Sequence, residues 1–227
     1  QDYGAGQQIA IMDSGYVASG CTNAQGHDTM TGKTITIYGT VYCAGFTGSA
    51  YHGLSVSAIA AGVTSAAVMG VASSASLHLS DYYHANSQTY YPNHWANATN
   101  NASSAIVQNN SWGIDVQLDT VQNYITNNSV TTDTAVAAYW TANGYNANAT
   151  SVSNYITALN NFQSHGVIVY ALSNTSSFTE ADFQAALPEL YSQLAEAWIT
   201  AVNIDKTGSS GSYSYTLQSA PCGATAQ

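Results

Sequence analysis

Apolar residues recur at Val152, Tyr155, Ile156, Leu159 and Phe162, the three-and-four spacing of one helix face. Gly166 is well placed to stop that helix, and an unbroken apolar run at 167–172 follows at once and reads as a buried strand. A helix leading straight into a buried strand is half of a strand–helix–strand crossover, the connection that parallel strands require. A second such pair follows, with 187–197 as the helix and 198–204 as the strand. Short strands are expected at 8–12, 34–38, 76–79 and 105–108, and a small-residue helix at 53–63. The fold class that accommodates all of these is α/β, a parallel β-sheet with helices on both faces in three layers. With 227 residues and 45% apolar side chains the chain can bury a core of its own, and it reads as one domain.

Chemistry concentrates at two positions in that frame. Asp13 ends the apolar run Ile9-Ala10-Ile11-Met12, which puts a carboxylate at the carboxyl end of a strand, where parallel sheets collect their ligand sites. His52 opens the small-residue run Gly53-Leu54-Ser55-Val56-Ser57-Ala58 at the start of a helix. Either residue alone is commonly a cap or a surface group. Together, an acid at a strand end and a histidine at a helix start form a base and the group that orients it. The helix dipole at its amino end opposes a charged imidazole, so a base placed there needs a carboxylate partner.

Composition removes several functions. Lys33 and Lys206 are the only basic side chains besides histidine, charged residues are 6% of the chain, and the net charge is −10. No stretch can release counterions from a phosphate backbone, so nucleic acid is excluded as a partner, and a polybasic membrane contact fails for the same reason. No apolar run reaches the roughly 18 residues that a bilayer requires, so no membrane insertion by this segment is expected. A surface made polar by Asn, Ser, Thr and 17 tyrosines points outside the cell.

Three cysteines leave one unpaired. Cys21 and Cys43 flank a Gly- and Thr-rich segment that a disulfide could close, and Cys222 is then either a buried thiol or paired with sequence beyond Gln227. The Tyr-, Asn- and His-rich stretch 81–101 reads as a surface loop, and the Thr- and Asn-rich stretch 114–150 as a long insertion with helical hints at 121–125 and 134–140. The last twenty residues read as loop. His27, His78, His84, His94 and His165 read as surface or loop residues, without the spacing of a zinc site. Tyr82-Tyr83 and Tyr90-Tyr91 read as loop packing before a ligand platform.

The order of motifs resembles the subtilisin-like serine proteases, and most of all the subtilases carried by bacterial autotransporters. Ile11-Met12-Asp13-Ser14-Gly15 is similar to the family's aspartate motif, and His52-Gly53 with Ala60-Ala61-Gly62 to its histidine motif. Gly70-Val71-Ala72 is similar to the next strand's signature, and Asn109-Asn110-Ser111-Trp112-Gly113 to the substrate-binding strand and turn. The run 167–174 is similar to the strand that ends in the oxyanion asparagine. Leu187-Pro188-Glu189-Leu190, Trp198-Ile199-Thr200-Ala201-Val202 and Ala220-Pro221-Cys222-Gly223-Ala224 are similar to the stretch ahead of the nucleophile. Two positions depart from the pattern: Leu54 stands where Thr is usual, and Ser173 where Gly is.

The resemblance implies that Asp13 orients His52, that His52 is general base and then general acid, and that Asn174 donates to the oxyanion. It also implies that Ser111, Trp112 and Gly113 bind an extended peptide, with the Trp112 ring shaping a specificity pocket. It makes residues 1–227 a single peptidase domain whose nucleophile motif, Gly-Thr-Ser-x-Ala, lies in a C-terminal remainder beyond Gln227. The expected activity is that of a secreted or cell-surface serine endopeptidase acting on peptide or protein substrates. It needs no cofactor; subtilases often hold structural calcium, but no Asp-rich loop here specifies a site. The alternative is a catalytically inactive subtilase-fold module in an extracellular surface layer or filament.

Overall fold

Six strands form the main sheet: β1 (Gln8–Asp13), β2 (Ile35–Tyr38), β3 (Ser76–Asp81), β4 (Val107–Asn110), β5 (Val167–Ala171) and β6 (Trp198–Ala201). The computed structural model describes residues 2–16, 27–41, 51–63, 69–85, 87–175 and 177–217. The strands lie in the order β2-β3-β1-β4-β5-β6, and every neighbouring pair is parallel. The chain therefore starts in the middle, fills one side of the sheet, returns, and fills the other. Side chains alternate across β1: Ile11 enters one core and Ala10 and Met12 the other. A strand buried on both faces reads as a continuous apolar run, which is why this one was visible in the sequence.

On the first face, α1 (His52–Ala61) packs over β1 and β3, around Ile11, Met30, Leu54, Leu77 and Leu79. Its carboxyl end is held closely by the Gly-Val-Ala turn. The N–H groups of Gly70, Val71 and Ala72 donate to the carbonyls of Gly62, Ile59 and Ala60 at 2.9, 3.0 and 2.8 Å, satisfying acceptors that a helix end leaves free. A Cβ on Gly70 would stand 2.3 Å from the Gly62 nitrogen, so this approach demands glycine.

The second face carries α2 (Tyr91–Asn101), α3 (Leu118–Asn128), α4 (Thr132–Ala142) and α5 (Ala149–Gln163), over a core rich in aromatic rings. The helix expected from the spacing at 152–162 is α5, opened by a reciprocal cap in which the Asn148 side chain accepts from the Ser151 N–H and the Ser151 hydroxyl from the Asn148 N–H. Gly166 follows it, with a negative φ. Its need is space, because a Cβ there would lie 2.5 Å from the Phe162 ring.

Four expectations are corrected. The stretch read as a surface loop contains α2, whose Trp95 is fully buried and which packs along α5. Only Leu187–Leu190 (α6) and a 3-10 turn at Ser192–Leu194 are helical within 187–197, since Pro188 fits only a first turn and a new turn begins at Tyr191. The tail read as loop forms an antiparallel hairpin, β7 (Ile204–Ser209) and β8 (Ser212–Leu217). His78 and His94 are buried: His78 Nε2 bonds the Asn101 side-chain oxygen at 2.9 Å, and His94 Nε2 bonds the Asp81 carbonyl at 2.7 Å. Cys21, Cys43 and Cys222, with their proposed pairing, lie outside the described residues.

Coverage of the sheet is unequal. On the α1 face the side chains of β4 and β5, Val107, Asn109, Val167, Val169 and Ala171, stay partly exposed, whereas their neighbours facing α5, Gln108, Asn110, Ile168 and Tyr170, are buried. Beside α1 this leaves an apolar groove of about 420 Å³, lined by Ile9, Val56, Ile59, Val71 and Val107 among others.

Candidate active site

Asp13 is the last residue of β1, at the point where the strand order reverses and a parallel sheet opens a crevice. It is 1% exposed and accepts the Ser14 N–H at 2.7 Å. Its Oδ1 also meets His52 Nδ1 at 2.7 Å, while Oδ2 is buried without a hydrogen-bond partner among the described residues. A carboxylate only accepts, so this bond fixes the imidazole proton on Nδ1 and leaves Nε2 as the free acceptor. His52 keeps 49% of its side chain exposed.

Electrostatics follow from that geometry. Burial pushes the Asp13 carboxyl above the usual range, against the lowering pull of the hydrogen bond and charge of His52. The Asp13 hydrogen bond raises the His52 pKa, ahead of desolvation, which lowers it. The carboxylate thus outweighs both burial and the unfavourable helix dipole in stabilising a protonated imidazole.

The two residues are brought together by backbone. The N–H groups of Gly53 and Leu54, free at a helix start, donate to the carbonyls of Ser14 and Gly15 at 2.8 and 3.2 Å. Tyr51, just before them, sits in left-handed backbone at φ 78°. Tyr16 passes under this joint, fully buried, with its hydroxyl donating to the carbonyls of Ile11 and Ser80 at 2.9 and 3.0 Å. A Cβ on Gly53 would stand 2.9 Å from the Tyr16 ring and 3.1 Å from the Ser14 carbonyl oxygen, which explains why glycine follows the histidine. The sequence reading missed Tyr16; the only signal for it was an aromatic ring directly after the Ser14-Gly15 turn. Leu54 points into the α1 core, 5% exposed.

His52, residues 111–115 and residues 171–175 line one cleft of about 380 Å³, with Asp182. The expected residues Ser111, Trp112, Gly113, Ser173 and Asn174 therefore converge around His52, and Asn174 is exposed there. The walls are cross-tied: the Ser173 hydroxyl donates to Asp115 from the opposite wall, and the Ser173 N–H donates to Asp182 Oδ2 at 2.8 Å. The other Asp182 oxygen accepts the Ala185 N–H at 2.9 Å, and burial raises the pKa of this carboxyl.

The Trp112 ring contributes to the cleft from a largely buried position. It is 6% exposed and stacks on Tyr82 at 4.5 Å and 4°, with Trp95 and Tyr170 also against it. Aromatic stacking of this kind holds the backbone wall in place from behind. Tyr82 is likewise core, with its phenol pKa raised by burial. Among the described residues no group of three or more His, Cys, Asp or Glu side chains could hold a metal ion, and no helix is long and apolar enough to cross a membrane.

No protein-family model matches the chain, and no curated protein matches it. Solved structures do. The chain is similar to the protease domain of PatA, at 17% identity and a TM-score of 0.53, over 88% of this chain and 58% of that one. It is also similar to the MycP3 protease of the type VII (ESX-3) secretion system, at 16% identity and a TM-score of 0.51, over 92% of this chain and 56% of that one. The chain thus spans a little over half the length of these structures. The likeness is one of fold, the three-layer α/β fold of the subtilisin-like serine proteases.

Proposed function

We propose that the chain is the aspartate- and histidine-bearing part of a subtilisin-like serine endopeptidase, acting on peptide or protein substrates outside the cell or at its surface. The observation that carries this reading is the Asp13–His52 bond of 2.7 Å on an imidazole whose other nitrogen is free beside a peptide-sized cleft. In it, His52 Nε2 removes the hydroxyl proton of a serine as that oxygen attacks the scissile carbonyl, and later passes the proton to the leaving amine. Asp13 stabilises the imidazolium between those steps. Asn174 donates to the tetrahedral oxyanion, an interaction contributing about 3 kcal/mol in a protease of the same fold. Ser111–Gly113 supply backbone groups to an extended substrate.

The serine is assigned to sequence beyond Gln227. Ser111 and Ser173 line the cleft, but the Ser111 hydroxyl accepts from the Asn109 side chain at 2.9 Å and that of Ser173 donates to Asp115, so neither is bonded to His52. In this reading the nucleophile segment covers the apolar groove beside α1, which shares Ser111 with the cleft. The low charge content supports an extracellular setting, and an autotransporter passenger is the proposed context. The test is a serine-directed fluorophosphonate on the full-length protein. Labelling of one serine, lost in His52→Ala, is expected; folded full-length protein that resists the probe overturns the assignment.

One observation favours a second reading, an inactive module of a surface assembly: the open apolar groove and the wholly exposed strand Ile204–Ser209 are surfaces that neighbouring subunits could cover. Full-length protein that stays unlabelled yet assembles into regular polymers supports it.

A further inference from the structure

Two carboxylates, Asp115 and Asp182, line the cleft that also holds His52, and the chain has almost nothing with which to neutralise them. Its only Lys and Arg side chains are Lys33 and Lys206. Lys33 Nζ donates to the carbonyls of Ser73 and Ala75 at 2.7 and 2.6 Å, and Lys206 Nζ lies 3.5 Å from the centre of the Tyr213 ring on the hairpin. Neither approaches the cleft carboxylates, and the ion pairs among the described residues are those of Asp13 with His52 and Asp81 with His84.

The two aspartates differ in what remains available. Asp182 is buried and has both oxygens committed to backbone N–H groups. Asp115 is exposed, and the hydroxyl of Ser173, reaching across from the other wall, is bonded to its Oδ1. A hydroxyl is a neutral donor that a guanidinium or ammonium readily displaces, because charge-assisted bonds are roughly twice as strong. Gly113 beside them leaves the floor open: the nearest atoms to an added Cβ, on Asp182 and Gln184, are at 3.9 Å.

We infer that the cleft selects an arginine or lysine side chain of its substrate, and that Asp115 is the residue that reads it. The inference rests on the proposed reading of the cleft as a peptide site. The basic side chain enters between the two walls next to His52, takes Asp115 from Ser173, and brings the positive charge that the chain itself lacks there. The net charge of −10 adds a long-range attraction for basic peptides, weakened by salt.

Binding alone tests this, so the nucleophile is not needed. Three uncleaved peptides that differ only in one residue, arginine, its neutral isostere citrulline, or glutamate, are titrated into the chain by fluorescence anisotropy at fixed salt. The arginine peptide is expected to bind on the order of 10-fold tighter than the citrulline peptide, as charged hydrogen bonds usually provide, and the glutamate peptide weakest. Asp115→Asn should bring the arginine peptide down to the citrulline level. Asp28→Asn removes the same charge near the far end of α1, where Thr29 accepts the Val63 N–H, and should leave the preference intact. Equal binding of all three peptides, or a preference lost equally in Asp28→Asn, overturns the role of Asp115 while the cleft remains a peptide site. Failure of every peptide to bind overturns the peptide-site reading as well.

Discussion

Among the described residues, two Asp–His pairs stand on adjacent strand ends, and they are built differently. Asp13 and Asp81 are register partners at the carboxyl ends of β1 and β3, and both are buried. Asp81 meets His84 three residues later at 3.1 Å, and its Oδ1 also accepts the N–H groups of Tyr83 and His84 at 2.9 and 3.1 Å. That is a turn closed by its own aspartate. Asp13 instead meets a histidine 39 residues away, on another element, at 2.7 Å, and that histidine lines the cleft. The residue types are the same. In the proposed reading, what separates a capping carboxylate from one that orients a base is whether its histidine arrives from elsewhere in the fold with a nitrogen left over.

The largest effect should come from breaking one pair and then the other. In the proposed endopeptidase, Asp13→Asn is expected to lower kcat by about 10⁴, as loss of the orienting acid does in a serine protease with an Asp–His–Ser triad, with circular dichroism unchanged. Asp81→Asn should lower the melting temperature through its turn and leave kcat within about tenfold. Equal losses of kcat in the two variants would erase the distinction.

The joint that delivers His52 can be tested next. Gly53→Ala forces a methyl against the Tyr16 ring and the Ser14 carbonyl and should cost about 1–3 kcal/mol in denaturant unfolding. Gly113→Ala meets nothing closer than 3.9 Å and should change stability by less than about 0.5 kcal/mol. A neutral Gly53→Ala would mean that the helix start is not pinned by Tyr16.

A smaller effect is expected in the pH dependence of stability. The His52 pKa is raised in the folded state, so its bond to Asp13 stabilises fully below the unfolded value of about 6.5 and fades as pH rises through the folded value. The difference in unfolding free energy between wild type and His52→Gln should shrink as pH rises above about 6.5.

Much of this was legible in the sequence, for physical reasons that also explain the misses. Strands buried on both faces and the amphipathic α5 carry strong patterns; Asp13 stands at the end of one such strand, and His52 opens the small-residue run that forms α1. α2 escaped because it buries His94 and Thr99 along with Trp95 and displays Asn97 and Asn100, so its polarity does not follow its burial. The stacking of Trp112 on Tyr82 was not legible, because nothing local marks the two rings, thirty residues apart in the chain, as partners. The hairpin was there to be read: Ser212-Tyr213-Ser214-Tyr215-Thr216 alternates with period two after the turn residues Ser210-Gly211, and Gly211 has a φ of 91°.

The central claim is that His52 is held as a base by Asp13, and nitrogen-detected NMR of the imidazole tests it on the chain itself. A His52 pKa above 6.5, a neutral form protonated on Nδ1, and a fall in that pKa in Asp13→Asn but not in Asp81→Asn are the expected results. A neutral form protonated on Nε2, or a pKa indifferent to Asp13, would contradict it.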